Sequence, residues 1–542
     1  MCDILSVFPT LKKTLDDVPK VEQQFRYGTA GFRAEGAVLD NVFARCGVVA
    51  ALRSMCTKKT IGVMVTASHN PENENGIKIV EPDGGMLAIA WEGFATSMAN
   101  VSVEDCIKEI NEFVDKENID IHTPCKIILG RDTRSSSLRL SNRVVDVCKS
   151  MNCEVDNLEE VTTPLLHHVV RMHNFKKTEW EGRQGYFKML GDAYKTLCQG
   201  FEDKCKQRTP LYIDCSNGAG ALVIDEIQAA LGDYLKIIPI NNHRTNLNYL
   251  CGANHLVTKT CLPTECTMEQ AAERRSCAFD GDADRIVYFT SRNGKFVLLD
   301  GDKLLSIFAI WCRDQLKNLN LPNKTLGVVK TAYANGASTD FVKEHNMPLV
   351  LAKTGVKNLH PKAHQFDIGM YFEANGHGTV LFKDTFLNEL KSLDNSTLTE
   401  VQIHAKNNII AASELVNQAV GDALSDSLFV EAILSTTNIT LDDWINMYTD
   451  LPSVNSVVKV EDRSIFKNND DETRCLEPAG IQEAIDELVK QVPHGRSFVR
   501  PSGTENVVRV YAEADTKEHA LWLAKEVERT TYKLARGVGE MP

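Results

Sequence analysis

The chain has 542 residues, of which 43% are hydrophobic and 25% charged, with a formal net charge of −13. At roughly 100–200 residues per domain this predicts about three to five domains, each able to bury a core. The acidic balance argues against phosphate-backbone binding, so no nucleic-acid partner is expected.

The sixteen cysteines are scattered, with no CxxC pair and no Cys/His cluster of zinc spacing. The opening MCDILSVFPTLKK lacks the basic and apolar regions of a secretory signal, and no run of about 18 apolar residues reads as a membrane span. The expectation is a cytoplasmic protein with reduced thiols and no membrane partner.

Apolar runs then alternate with helical stretches. Residues 60–67 (TIGVMVTA) read as a strand, followed by Ser68-His69-Asn70-Pro71, and Lys78 sits ten residues past Ser68. A strand closing in a small polar loop places Ser68 at an exposed strand end, where backbone N–H groups face a bound anion. The same loop is equally compatible with a plain Ser/Asn/Pro turn. Lys78 reads either as a solvated strand lysine or as a proton-transfer group, which would need a pKa lowered by burial or nearby cations.

Residues 126–130 and 211–215 are further strands, the first leading to a helix from about Ser136 and the second to a Gly-rich turn at 217–220. Strands at 277–279 and 286–290 flank Asp280-Gly281-Asp282-Ala283-Asp284-Arg285. In extended backbone the three aspartates share one face. Clustered carboxylates repel unless a cation lies among them, and an all-oxygen set suits Mg²⁺ rather than zinc.

Strands at 326–330, 349–352 and 368–372 follow, the last ending in Glu373-Ala374-Asn375-Gly376-His377-Gly378. Glu373 and Asn375 are suited to sugar hydroxyls, while His377 is as well explained as a structural histidine. Strands alternating with helices predict α/β domains with mixed sheets.

The last ninety residues read as a small α+β unit, with strands at 456–460, 496–499 and 507–513 and helices at 480–491 and 518–534. Arg500-Pro501-Ser502-Gly503-Thr504, with Arg509 in the next strand, makes an anion cradle. Three further segments place a cation beside glycine and a hydroxyl: 27–33 with Arg33, 130–134 with Arg131 and Arg134, and 354–357 with Lys357.

GTAGFR, TASHNPENENGIKIV, DGDADRIVY, TAYANGAS, KTGVKNLH, YFEANGHGT and FVRPSGTENVVRVYAEAD occur in this order from about Tyr27 to about Ala514. On these segments the chain resembles the α-D-phosphohexomutase family, and within it the eukaryotic branch acting on N-acetylglucosamine phosphates. The resemblance implies three related α/β domains and a C-terminal α+β domain around one central cleft. The boundaries are set at 1–185 (phosphoserine loop), 186–301 (metal loop), 302–452 (sugar loop) and 453–542 (phosphate cradle).

The resemblance also implies roles. Ser68 carries the transferable phosphoryl group and, with Asp280, Asp282 and Asp284, ligates one Mg²⁺ per chain. Lys78, Arg33 and His69 fall near the transferred group. Glu373, Ala374, Asn375, His377, Lys357, Arg285, Arg500, Pro501, Ser502, Gly503, Thr504 and Arg509 bind substrate. A hexose 1,6-bisphosphate serves as intermediate and activator, and no obligate protein partner is evident. The implied reaction interconverts the 6- and 1-phosphates of N-acetylglucosamine on the route to UDP-N-acetylglucosamine. Asn375 stands where glucose- and mannose-type relatives usually have Ser, which favours a 2-acetamido sugar. A glucose or mannose phosphate mutase and a metal-dependent phosphatase are the alternatives.

Overall fold

A computed structural model describes residues 3–18, 20–503 and 505–542. The chain divides into two compact units. One comprises Met1–Asp300, Asn375–Thr379 and Asn407–Asn438; the other comprises Gly301–Ala374, Val380–Lys406 and Ile439–Pro542.

The first sheet contains β1 (Phe32–Glu35), β2 (Ile61–Val65), β3 (Glu74–Val80), β4 (Lys126–Arg131) and β5 (Glu154–Glu160), in the order β1-β3-β2-β4-β5. β2, β4 and β5 are parallel, while β3 runs antiparallel to β2 and to β1. All five residues of β2 are buried, as expected where helices pack on a mainly parallel sheet; the helices Asp40–Thr57 and Thr163–Phe175 both contact it.

The second sheet contains β6 (Leu211–Asp214), β7 (Ile237–Ile240), β8 (Arg275–Phe279), β9 (Ile286–Arg292) and β10 (Lys295–Leu299), in the order β10-β9-β8-β6-β7. It repeats the first plan, with three parallel strands and an antiparallel neighbour, here β9 beside β8. The third sheet has β11 (Leu326–Thr331), β12 (Leu349–Ala352), β13 (Ile368–Phe372) and β14 (Gly378–Phe382), in the order β12-β11-β13-β14, with β11 parallel to β12 and β13.

This shared plan puts the three chemistry-bearing loops at equivalent places. Ser68 follows β2, the aspartates follow β8 and Glu373–His377 follows β13, each at the carboxyl end of the parallel strand beside its returning partner. Carboxyl ends of such strands are where open α/β sheets bind ligands.

The C-terminal region differs. β15 (Ser453–Lys459), then the short pair β16 (Lys467–Asn468) and β17 (Cys475–Glu477), precede the antiparallel ribbon of β18 (Arg496–Pro501) and β19 (Val507–Glu513). The helices Ile481–Val489 and Lys517–Leu534 close over a core that includes Val458, Ile485, Val510, Leu523 and Val527. No helix among the described residues is long and apolar enough to cross a membrane.

Candidate active site

Ser68 is not at an exposed strand end, as the sequence suggested: it is fully buried, with φ +54°. A non-glycine residue in this region is held by its surroundings, and here the restraints are explicit. Arg134 Nη2 donates to Ser68 O and Asn70 O at 2.8 Å each, and Arg134 Nη1 to Pro71 O and to Glu74 O at 2.8 Å. Asp132 fixes that guanidinium through Nε at 2.9 Å. From the second sheet, Asn248 Nδ2 donates to Ser68 O at 2.9 Å and Asn70 O at 3.0 Å, and Ser216 Oγ orients the Asn248 carbonyl at 2.7 Å. Six side-chain donations to loop carbonyls thus hold one serine.

Ser68 Oγ donates to Asp280 Oδ2 at 2.6 Å. The aspartate segment is a turn rather than extended backbone: Ala283 has φ +61° and its N–H donates to Asp280 O at 3.1 Å. The carboxylates converge because the chain folds back, not because they alternate along a strand. A Cβ on Gly281 would lie 2.5 Å from Ser68 O and 3.0 Å from Asn248 Nδ2, so glycine is what lets the two loops touch.

Asp280, Asp282 and Asp284 each offer an oxygen within 4.8 Å of the others, and all three are buried. Asp282 Oδ1 and Asp284 Oδ1 accept no hydrogen bond. Buried carboxylate oxygens without donors, in an all-oxygen set, fit a hard divalent cation such as Mg²⁺. Burial, with Asp284 and Asp282 adding, raises the Asp280 carboxyl well above its ordinary range. Burial also pushes Asp284 up, but Lys78, His377 and Arg285 outweigh it and hold the group well below.

Lys78 departs from the sequence expectation. Its Nζ lies 3.2 Å from Asp282 Oδ2 and 3.1 Å from Asp284 Oδ2. Burial lowers its pKa, yet the two aspartates overcome this and leave it raised. That direction is opposite to the lowering a proton-transfer lysine would need.

Arg33 Nη1 donates to Asn70 Oδ1 at 3.3 Å while its Nε has no hydrogen-bond partner. Arg285 Nε is 3.8 Å from Asp280 Oδ2 and 3.7 Å from Asp284 Oδ1. Burial, with Arg285 and Arg33 beside it, pushes His69 down to about 3, so its imidazole is neutral.

His377 Nδ1 donates to Asp284 O at 2.9 Å and its backbone N–H to Asn375 Oδ1 at 3.0 Å. Gly376 (φ +84°) accepts from Ile286 N at 3.2 Å. Asn375 to His377 therefore brace the aspartate turn. In the other unit, Glu373 Oε1 accepts from Gly355 N at 3.1 Å, Ala374 O accepts from Gly301 N, and Lys357 lies in the first turn of the helix Val356–Ala363.

That second unit also holds the segment read from the sequence as an anion cradle. Arg500 on β18 stands directly opposite Arg509 on β19, and Pro501 opposite Val508. Ser502 N donates to Val507 O at 2.9 Å and its Oγ accepts from Glu505 N at 3.4 Å. A Cβ on Gly503 would meet open space. Thr504 lies outside the described residues.

Sequence reading missed Asn248 and Thr163. Thr163 Oγ1 donates to Asp282 Oδ2 at 2.7 Å and its N–H to Asp282 O at 3.0 Å. Thr162-Thr163-Pro164 carries only a helix-start signal, and nothing in the Asn-rich stretch around Asn248 marks it.

A buried serine hydroxyl thus lies against a carboxylate cluster with cations around it, an arrangement with the parts that phosphoryl transfer uses. Three family descriptions match. Phosphoglucomutase/phosphomannomutase, alpha/beta/alpha domain I, matches residues 42–92 and 95–178; Phosphoacetylglucosamine mutase AMG1, domain III, matches 300–439; and the Phosphoglucomutase/phosphomannomutase C-terminal domain matches 458–530.

The chain is 42% identical over 521 residues to the phosphoacetylglucosamine mutase of Sus scrofa, covering 95% of each. Aspergillus fumigatus N-acetylphosphoglucosamine mutase in complex with GlcNAc-6P and magnesium superimposes with TM-score 0.91 at 39% identity, over 97% of this chain and 99% of that one. A serine-to-alanine variant of that enzyme in complex with glucose 1,6-bisphosphate gives TM-score 0.89 at 38% identity, over 98% and 99%. The chain belongs to the phosphoacetylglucosamine mutase family, within the α-D-phosphohexomutases.

Proposed function

We propose that this chain interconverts N-acetylglucosamine 6-phosphate and N-acetylglucosamine 1-phosphate through phosphorylated Ser68 and a 1,6-bisphosphate. The observation that carries the reading is the 2.6 Å contact of Ser68 Oγ with Asp280 inside a buried three-aspartate turn, together with full-length similarity to enzymes of that name.

In the forward half-reaction sugar O1 attacks the phosphoryl group on Ser68. The Oγ–P bond breaks, the O1–P bond forms, O1 loses its proton and Ser68 Oγ regains one. The bisphosphate reverses end for end, and transfer of its 6-phosphoryl group back to Ser68 leaves the 1-phosphate. Two in-line transfers replace one awkward internal shift. Asp280, Asp282 and Asp284 would hold the magnesium ion, which supplies positive charge to the transferring phosphoryl oxygens. Arg33, Arg285 and Lys78 add fixed cations near the transferring group. Arg134 and Asn248 hold Ser68 at one angle, so little reorganisation accompanies each transfer. Arg500, Ser502, Gly503, Thr504 and Arg509 hold the phosphate that is not reacting; Glu373, Ala374, Asn375, His377 and Lys357 engage the sugar.

The domain division 1–185, 186–301, 302–452 and 453–542 is proposed on the same basis, each segment carrying one site loop. The fifteen free cysteines among the described residues support a reducing, cytoplasmic setting.

Substrate choice is tested by supplying N-acetylglucosamine 6-phosphate or glucose 6-phosphate with Mg²⁺ and following 1-phosphate and free phosphate by phosphorus NMR. Faster conversion of the acetamido sugar, abolished by chelation and restored by Mg²⁺, is the expected result. A preference for glucose 6-phosphate would remove the reading of Asn375. Free phosphate without 1-phosphate would mean a phosphatase.

A further inference from the structure

The C-terminal ribbon carries three cross-strand rows: Arg496 opposite Glu513, Phe498 opposite Tyr511, and Arg500 opposite Arg509. Residues two apart on a strand share a face, so these rows lie side by side. The segment after β11 docks on that face. Arg496 Nη1 and Nη2 donate to Ala332 O and Ala334 O at 2.6 Å each, and Glu513 Oε2 accepts from Gly336 N at 3.1 Å. Between these anchors Tyr333 sets its ring edge-on to Phe498 and Tyr511, with centroids 5.0 and 5.8 Å apart. Its ring therefore packs on the middle row, next to the arginine row.

Two features of this corner are costly as they stand. The buried Tyr333 hydroxyl donates to no acceptor; its neighbour Arg500 has only donors to offer it, so the phenol proton is left unused. Like charges directly opposite on a ribbon repel, and the carboxylate near the arginine row, Glu472, has Oε1 3.4 Å from Arg500 Nε while its Oε2 accepts from Thr354 N and Oγ1. Both costs are relieved by one ligand: an anion with several acceptor oxygens.

We propose that the Tyr333 hydroxyl is a substrate-binding group, donating to the phosphate monoester that Arg500 and Arg509 hold. This rests on the cradle reading given above and adds a neutral donor to it. Burial raises the phenol above its ordinary pKa while Arg500 and Arg509 pull the other way, and the raised group keeps its proton at neutral pH. The residue sits in the third domain segment, so it would tie phosphate capture by the ribbon to the loop the ribbon docks on.

Tyr333→Phe removes the hydroxyl and keeps the ring contacts. Titration calorimetry with N-acetylglucosamine 6-phosphate on wild type and variant, alongside thermal melting and steady-state kinetics, tests the proposal. The expected result is a Kd raised about tenfold, the scale of one hydrogen bond to a charged group. KM should rise in parallel, with kcat within about twofold and the melting midpoint unchanged. An unchanged Kd overturns the proposal, and so does a weakening matched by a lowered melting midpoint, which would make the hydroxyl structural. Wild-type enzyme that binds the phosphosugar without converting it would refute the mutase reading while the Kd comparison still decides Tyr333. Wild type that binds no phosphosugar refutes both.

Discussion

Ser68 is held in place from its carbonyl side. Arg134 satisfies the loop's carbonyls from within the first sheet's domain, and Asn248 reaches the same carbonyls from the second. Backbone at φ +54° has little reason to keep that conformation without them. Asn248→Ala should lower kcat about 10- to 100-fold while KM stays nearly constant, because the side chain orients the nucleophile and touches no substrate. The stability loss should be about 1–3 kcal/mol, the scale of unsatisfied buried polar groups. Urea denaturation and steady-state kinetics check both parts; unchanged kcat would release Asn248 from the positioning role. The clustering of the three aspartates was legible in the sequence because charged and small residues stood where a loop should be. Asn248 was not, since one Asn among several in an Asn-rich loop carries no signal until another loop is brought against it. The sign of the Lys78 shift was also hidden, because it depends on two carboxylates some two hundred residues away.

At the scale of elements, the helix Thr163–Phe175 does two jobs. Its first residue fixes Asp282, and its next turn buries His167 and His168. Burial pushes both imidazoles down to about 4. His168 Nε2 faces Trp180 O at 2.8 Å, so that nitrogen carries the proton and donates. A histidine whose folded pKa lies below its unfolded value of about 6.5 binds fewer protons when folded. Its contribution is therefore complete above about pH 6.5 and is lost as pH falls towards 4, roughly 3 kcal/mol for a shift of this size. His168→Gln, whose amide can still donate to Trp180 O, should flatten the fall of the urea midpoint between about pH 6.5 and 4.5. An unaltered slope would contradict the assignment. Strand positions at 349–352 and 368–372 were read correctly because apolar runs between turn signals leave few alternatives. The aspartates converge by a different route from the extended backbone under which the sequence would align them, because Ala283 takes a left-handed conformation.

For the whole molecule, one sheet plan recurs three times along the chain. Each of the three α/β sheets presents a loop at the same topological position: the Ser68 loop, the Asp280–Asp284 turn and the segment that follows Phe372. The α/β class was legible from strands alternating with helices, whereas the common strand order was not, since pairing is a non-local property. The C-terminal region that carries Arg500 and Arg509 has a different architecture. The central claim is that Ser68 itself carries the phosphoryl group. It is tested most directly by incubating the protein with Mg²⁺ and isotopically labelled hexose 1,6-bisphosphate, then locating the label by peptide mass spectrometry, with Ser68→Ala run in parallel. Label on Ser68, with Ser68→Ala neither labelled nor able to convert N-acetylglucosamine 6-phosphate, is the predicted result. Label on another residue, or turnover persisting in Ser68→Ala, would contradict it.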